Sequence, residues 1–183
     1  YNPQDGEVWF RGSKRPPMKP YQVARQGIAR TFQNIALFDG MSVLDNIMTG
    51  RLTHMKTGLL AQSIWMGRAE REETENRAVV EGIIDFLEIQ AIRKTPVGRL
   101  PYGLKKRVEL ARALAAEPKI ILLDEPAAGL NAVETTALEA LIRKIAEQGI
   151  TVMLVEHDMK LVMNISDHLL VLNHGRVLAE GTP

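Results

Sequence analysis

Cysteine is absent from the sequence, which excludes a disulfide framework and fits a reducing compartment. No apolar run approaches the roughly 18 residues that a membrane-spanning helix needs, so we expect any link to a membrane to run through a partner. No N-terminal signal, internal repeat or low-complexity tract is visible. The net charge is only +1, from 23 basic and 22 acidic residues, which gives no electrostatic case for nucleic-acid binding. The 183 residues, 45% of them hydrophobic, are enough for one domain with an inserted subdomain.

The most informative segment is residues 100–126, with the sequence LPYGLKKRVELARALAAEPKIILLDEP. Gly103 allows the backbone to come close to a ligand. Apolar residues recur at helical spacing after it, and they predict a helix from Leu104 to Glu117 that begins just after Gly103 and is ended by Pro118. The free N–H groups and the positive dipole end of this helix favour anions. Three basic residues add positive charge there: Lys105, Lys106 and Arg107.

Four apolar residues, Ile120 to Leu123, then predict a strand that is buried on both faces of a parallel sheet. Asp124 and Glu125 follow at its carboxyl end, where open α/β sheets bind ligands. Because neighbouring residues on a strand point to opposite sides, one carboxylate can lie near a metal ion and the other near a water molecule. A strand with an acidic loop would alone be an ordinary structural feature, but the glycine turn and basic helix before it favour a nucleotide site.

The rest of the pattern divides the chain into three parts. Residues 1–40 predict a small β part with a short helix, residues 41–99 a helical insertion, and residues 100–183 an α/β core. The first two parts contain a predicted strand within 6–12, a helix over 21–26, a strand over 28–32, a helix after a cap at Ser42 and a long helix over 68–87. The third part adds a helix from the Asn131–Glu134 cap to about Gln148, an apolar strand over 151–155 and a hairpin over 168–180.

Further polar residues stand where a nucleotide site needs them. Gln33 follows a predicted strand, Asn131 begins a helix and His157 follows the strand over 151–155. Taken singly, Gln33 is typical of a loop and His157 of a structural histidine. Their order along the chain, together with Gly103 and the paired carboxylates, resembles the Q-loop, signature, Walker B, D-loop and H-loop of ABC-type ATPases. The resemblance covers nearly the whole chain, and four phrases look closest to the ATPase subunits of branched-chain amino acid importers: ARTFQNIALFDGMSVLDNIMTG, LPYGLKKRVELARAL, DEPAAGLN and VEHDM.

The resemblance implies an α/β fold, a P-loop NTPase-like ABC ATPase core with a mostly parallel sheet, a small antiparallel β part and a helical subdomain. It also implies that the protein binds ATP and Mg²⁺. Asp124 would hold the metal through water, and Gln33 would sense the metal, the γ-phosphate and the attacking water. Glu125 would be the general base, and His157 would contact the γ-phosphate.

The same resemblance implies a nucleotide contact across a subunit interface. The residues concerned are Pro101, Tyr102 and Gly103 of the signature and Asn131 of the D-loop. Two of these positions depart from the family pattern, because Pro101 stands where a serine is usual and Asn131 where an aspartate is usual. Leu104 likewise replaces the usual glutamine. We interpret these departures as variation within the importer subfamily, although a neutral Asn131 weakens a charge-based role at the interface.

A further departure is the absence of the phosphate-binding G-x-x-x-x-G-K-[ST] motif from the 183 residues. The nearest approach, GRLTHMKT over 50–57, has Met55 where glycine is needed and follows Gln33 instead of preceding it, so we treat it as a chance match. We expect the P-loop, and the aromatic residue that stacks on adenine, to lie upstream of Tyr1. We therefore predict that these 183 residues alone do not hydrolyse ATP.

The function predicted from the sequence is that of an ATP-hydrolysing subunit of an ABC importer for branched-chain amino acids or similar small polar substrates. The expected partners are a second ATPase subunit, identical or not, a transmembrane permease and, indirectly, a substrate-binding protein, with no nucleic acid. The expected location is peripheral, on the cytoplasmic face of the inner or plasma membrane. Two alternatives stay open: a soluble ABC-type ATPase of the ribosome or DNA-repair class, and a non-catalytic assembly module without a P-loop.

Overall fold

The computed structural model describes residues 5–31, 35–55 and 68–183. Its strands are β1 (Val8–Phe10), β2 (Ser13–Arg15), β3 (Ile28–Arg30), β4 (Ile120–Asp124), β5 (Thr151–Val155), β6 (Leu169–Asn173) and β7 (Arg176–Gly181). Its α-helices are α1 (Pro20–Arg25), α2 (Val43–Met48), α3 (Arg68–Phe86), α4 (Tyr102–Leu114), α5 (Ala132–Glu147) and α6 (Met159–Ile165). Short 3₁₀ turns cover Thr49–Thr53, Gln90–Ile92 and Val97–Arg99. The chain is therefore α/β, as the sequence predicts.

The central sheet is parallel, with the strand order β3-β4-β5. Ile120 of β4 lies opposite Ile28 of β3 and Thr151 of β5, so the carboxyl ends of all three strands reach the same edge of the sheet. The prediction that β4 is buried on both faces is wrong in part. Ile121 and Leu123 are fully buried, whereas the residues that alternate with them are only half-buried.

Two small antiparallel hairpins stand apart from this sheet. At the N-terminal end β1 pairs with β2, a strand that the sequence pattern did not reveal, around a turn in which Gly12 has a φ of 71°. Near the C-terminal end β6 pairs with β7, as predicted. Most residues of this second hairpin are exposed on both strands. Within the described residues, no helix combines the length and the apolar character that a membrane span requires.

The helical part consists of α2, α3 and the 3₁₀ turns between them and α4. Ser42 caps α2 as predicted, because its hydroxyl oxygen accepts a hydrogen bond from the Asp45 N–H at 3.1 Å. The apolar faces of α2 and α3 join the apolar face of α4 in one core cluster. Its fully buried members include Val43, Ile47, Val80, Ile84, Leu87, Val97, Val108 and Ala111. Helix α4, which follows residue 100, packs directly on this part. The division of the chain into a helical insertion (41–99) and an α/β core (100–183) therefore stays a prediction.

A buried arginine also ties the helical part to the end of α4. Arg51 is nearly fully buried, and its Nε donates to Asn76 Oδ1 at 2.8 Å. Its Nη1 donates to the Ala115 carbonyl oxygen and pairs with Glu117 Oε2, both at 2.9 Å. Burying a charge without partners is costly, and these contacts offset that cost for Arg51. The contacts hold the carboxyl end of α4 against α3.

Helix α4 differs from its predicted limits at both ends. It begins at Tyr102, with Pro101 as the N-cap, so Gly103 lies inside its first turn and does not precede it. It ends at Leu114, because Glu117 has a φ of 47°, which is incompatible with a right-handed helix, and Pro118 follows. Helix α5 begins as predicted after a capping box formed by Asn131 and Glu134.

Candidate functional site

Asp124 is the last residue of β4, and it faces the neighbouring strand β3. Its Oδ2 accepts a hydrogen bond from Arg30 Nη2 at 2.8 Å, and Arg30 is the last residue of β3. The two strands are parallel and in register, so their carboxyl ends bring these opposite charges together. Arg30 was missed by the sequence reasoning. The signal that could have revealed it is a basic residue at the end of an apolar strand that pairs with the strand of the carboxylates.

Glu125 lies outside β4, in a turn, with its backbone in the left-handed region at a φ of 45°. Its N–H donates to the Val155 carbonyl oxygen at 2.9 Å, which ties the turn to the end of β5. The separation of Asp124 from Glu125 therefore comes from this turn, and the strand alternation that we expected does not apply. One carboxylate contacts β3, and the other lies near the residues after β5.

His157 follows β5, as predicted, and lies close to Glu125. Its Nδ1 is 3.8 Å from Glu125 Oε1, a distance suited to an ion pair and longer than a hydrogen bond. The imidazole is 77% exposed, so it can reach a ligand above the edge of the sheet. Asp158, the next residue, caps α6 by accepting from the Lys160 and Leu161 N–H groups.

Glu156 lies between Val155 and His157, and its carboxylate points into the molecule. Its side chain is only 1% exposed. It accepts hydrogen bonds from the N–H groups of Ala127 and His157, at 2.9 and 3.1 Å. The sequence offered no signal for this arrangement, because an acidic residue beside a histidine at a strand end is normally solvated.

The first turn of α4 carries the signature residues and packs on the segment that leads into α5. Tyr102 is 45% exposed, and its ring lies against Gly129, where an added Cβ would be 3.0 Å from the ring. A Cβ on Gly103 would overlap Glu134 Oε1, the carboxylate of the α5 cap. Within this chain, the lack of a side chain at Gly103 therefore leaves room for the Glu134 carboxylate. The sequence had led us to expect a close approach to a ligand at Gly103, and it did not predict this contact.

Lys106 is the second basic residue of this turn, and it is buried. Its Nζ lies 5.7 Å from the centre of the Tyr102 ring. Among the described residues this Nζ has no hydrogen-bond partner. A desolvated ammonium group without a partner is costly, which makes this turn electrostatically unlike the edge of the sheet.

Asn131 serves the local structure at the start of α5. Its Oδ1 accepts from the N–H groups of Val133 and Glu134, both at 3.0 Å. Glu134 Oε2 in turn accepts from the Asn131 N–H at 3.0 Å. A role for Asn131 in contacting a nucleotide stays a prediction. Gln33, the remaining predicted site residue, lies outside the described residues.

The donor set at the edge of the sheet fits Mg²⁺ bound in the usual partial manner. This ion is normally held by one or two carboxylates together with waters and phosphate oxygens. Asp124 can supply such a carboxylate, after Arg30 releases or shares its Oδ2. The described parts of the chain contain no group of three or more His, Cys, Asp or Glu side chains that would form a complete protein cage for a metal.

Comparison with known proteins gives consistent matches. A family model described as "ABC transporter" matches residues 1–128, a range that includes Gly103, Asp124 and Glu125 and ends before Asn131. A curated relative is the "High-affinity branched-chain amino acid transport ATP-binding protein BraF" of Pseudomonas aeruginosa. It is 40% identical over 184 residues, which cover 100% of this chain and 72% of the relative.

Two solved structures extend the match to the fold. A nucleotide-free ATP-binding cassette from an ABC transporter has a TM-score of 0.81 and 30% identity, covering 98% of this chain and 70% of that one. The dimeric structure of a bacterial ABC transporter cassette has a TM-score of 0.77 and 25% identity, covering 98% of this chain and 74% of that one. The predicted cassette fold, with its parallel sheet and small antiparallel parts, is confirmed.

Proposed function

Because the chain belongs to the ABC transporter family of ATP-binding cassettes, we propose that it is the ATP-hydrolysing subunit of an importer for branched-chain amino acids. The observation that carries the proposal is the approach of His157 Nδ1 to Glu125 Oε1, at 3.8 Å, beside Asp124 at the carboxyl edge of the sheet. The substrate class is supported by the name of the BraF relative, which is 40% identical over the whole chain.

In this proposal Glu125 takes a proton from a water molecule whose oxygen attacks the γ-phosphorus of ATP. The bond from that phosphorus to the oxygen bridging the β-phosphate breaks, and ADP leaves. His157 contacts the γ-phosphate through its exposed imidazole, and Gln33 orients the water. Phosphoryl transfer depends mainly on positioning and charge neutralisation, and residues gathered at one edge of a sheet can supply both.

Asp124 is the residue that would hold Mg²⁺, through water. The ion, when bound, neutralises charge on the phosphate oxygens. Arg30 keeps the Asp124 carboxylate oriented toward β3 by its 2.8 Å hydrogen bond. The guanidinium also offsets the negative charge that Asp124 and Glu125 bring to adjacent positions, which would otherwise repel each other.

The assembly in this proposal is a pair of ATPase subunits, identical or not, on the cytoplasmic face of the membrane. Pro101, Tyr102 and Gly103 of one subunit, with Asn131, would face the ATP held by the other. The pair would drive a transmembrane permease that receives its amino acid from a substrate-binding protein. Support comes from the exposed position of Tyr102 and from the dimeric cassette that the chain resembles.

The test is ATP hydrolysis and leucine uptake by the full-length protein assembled with its permease in vesicles. Replacing the general base, Glu125→Gln, should lower kcat by roughly 10²–10⁴-fold, because the water loses its proton acceptor. ATP binding should persist, since the substitution leaves the size of the side chain unchanged.

A matched control is Glu180→Gln, which removes a carboxylate that also lies beside a histidine, His168, at 3.1 Å on the exposed hairpin. It should hydrolyse ATP at the wild-type rate. Near wild-type turnover in Glu125→Gln would contradict the assignment of the base. A wild type that neither binds nor hydrolyses ATP would favour the assembly-module alternative, which has no P-loop to hold the phosphates.

A further inference from the structure

Glu156 is an acidic residue that the proposed reaction leaves without a role. Charged side chains are rarely buried without partners, because burial removes their hydration. This carboxylate, 1% exposed, uses both oxygens: Oε1 accepts from the Ala127 N–H at 2.9 Å and Oε2 from the His157 N–H at 3.1 Å. It therefore joins two segments of the chain that are 29 residues apart.

The two segments are those that carry Glu125 and His157. Ala127 lies two residues after Glu125 in the same turn, and His157 directly follows Glu156. The Glu156 Oε2 atom is also 3.8 Å from His157 Nδ1, the same distance that separates this nitrogen from Glu125 Oε1. The Glu156 carboxylate thus contacts the backbone of both segments, next to the point where the side chains of Glu125 and His157 face each other.

The backbone at Glu125 gives a reason for such a tie. Its φ of 45° is one that a non-glycine residue keeps only where surrounding contacts enforce it. Two hydrogen bonds join this turn to the end of β5. The Val155 carbonyl oxygen accepts from the Glu125 N–H at 2.9 Å, and the Glu156 carboxylate accepts from the Ala127 N–H. Loss of the hydrogen bond from the Ala127 N–H to Glu156 would let the turn relax and would move the Glu125 carboxylate.

We propose that Glu156 is a positioning residue that holds Glu125 and His157 in the geometry needed for hydrolysis. This inference rests on the proposed function. In this proposal Glu156 does not act on the nucleotide or on the attacking water directly. It acts through the backbone of its two neighbours, and a carboxylate is required because it presents two acceptor oxygens at once.

The deciding variant is Glu156→Gln in the full-length protein. Glutamine keeps one acceptor oxygen and turns an NH₂ group toward the other N–H, so one of the two ties is lost without a cavity. We expect kcat to fall roughly 10- to 100-fold, the worth of one charge-assisted hydrogen bond. The KM for ATP should change by less than about threefold, because the tie does not contact the nucleotide.

A second readout follows the tie itself. Hydrogen–deuterium exchange at the Ala127 amide should become at least about tenfold faster in Glu156→Gln, and it should stay at the wild-type rate in Glu180→Gln. Glu156→Ala removes both acceptors and should show the larger effect on both measurements if it folds.

Four results separate the outcomes. Unchanged kcat together with unchanged Ala127 exchange in Glu156→Gln would overturn the proposal, and so would a fall in kcat that vanishes after correction for the fraction of ATP-binding-competent protein. A wild type that hydrolyses ATP, loses activity on Glu125→Gln and tolerates Glu156→Gln would refute positioning alone. A wild type without hydrolysis would refute the proposed function, and unchanged amide exchange would then refute the tie separately.

Discussion

The carboxyl edge of the sheet and the first turn of α4 both carry charged side chains, but they satisfy these charges in opposite ways. At the edge of the sheet Asp124 pairs with Arg30, and the buried Glu156 uses both its oxygens. In the first turn of α4, by contrast, the buried Lys106 ammonium has no hydrogen-bond partner among the described residues, and its Nζ lies 5.7 Å from the centre of the Tyr102 ring. At the edge these charged groups find their partners within the chain, whereas in the turn the Lys106 ammonium has no hydrogen-bond partner among the described residues.

The difference follows from how each region is built. Parallel strands in register deliver side chains and amides from distant segments to a common edge, so opposite charges and donors meet there. The start of a helix exposes N–H donors and a positive dipole end, and basic residues nearby add charge of the same sign. Such a turn is neutralised by an anion or partner from outside the helix, as the proposed contact with a nucleotide across the interface would do.

Removing the Lys106 charge tests the contrast between the two regions. Lys106→Met keeps a side chain of similar length and removes a buried ammonium group that has no hydrogen-bond partner in the described parts of the chain, so the free energy of unfolding should rise by about 1–3 kcal/mol. Urea unfolding of the wild type and the variant measures this change.

A control for this variant lies one residue earlier. Lys105 is half-buried, and its Nζ pairs with Asp39 Oδ1 at 3.3 Å. Lys105→Met should therefore change the free energy of unfolding by no more than about 0.5 kcal/mol. A loss of stability in Lys106→Met would show that the ammonium group is satisfied and would remove the contrast between the two regions.

Variants of Asn131 test the contrast further, because this residue belongs to the segment that packs between the two regions. Asn131→Ala should lower the free energy of unfolding by about 1 kcal/mol, since the N–H groups of Val133 and Glu134 lose their acceptor. Asn131→Asp restores the residue usual in the family, keeps an acceptor and places a negative charge at a helix N-terminus. It should retain wild-type stability in urea unfolding, and equal losses in both variants would contradict the capping role.

The smallest expected effect concerns a surface ion pair that belongs to neither region. The hydrogen bond and the charge of Lys144, whose Nζ lies 3.0 Å from Glu88 Oε1, lower the pKa of Glu88 from its ordinary value of 4.5. Because the pKa is lower in the folded state, the stabilisation is present above the unfolded pKa and is lost as the pH falls through the folded one.

Glu88→Gln should therefore lower Tm slightly near neutral pH, and the difference from the wild type should close in acid. Both residues are at the surface, so added salt should also reduce the difference. Melting curves at the two pH values, with and without salt, check this expectation. A difference in Tm that persists in acid would mean that Glu88 acts by packing and not by charge.

The limits of prediction are visible in particular residues. Capping patterns located Ser42 and Asn131, and glycine and proline bounded α1 and α4 approximately, because these signals act over a few neighbouring residues. The start of α4 at Tyr102 was missed because Pro101 serves as the N-cap there. The alternating burial of β4 was also missed, since an apolar run does not report what covers each face of its sheet.

By itself the sequence determined the order of the elements other than β2 and α6, the positions of Asp124, Glu125 and His157 at strand ends, and the family, since local pattern and chain order are written in it directly. The tertiary structure alone decided the partners of these residues. Arg30 reaches Asp124 across 94 positions of sequence, and Glu156 reaches Ala127 only because β4 and β5 end side by side. Such contacts depend on strand register and on desolvation inside the fold, and neither is a property of any short stretch of chain.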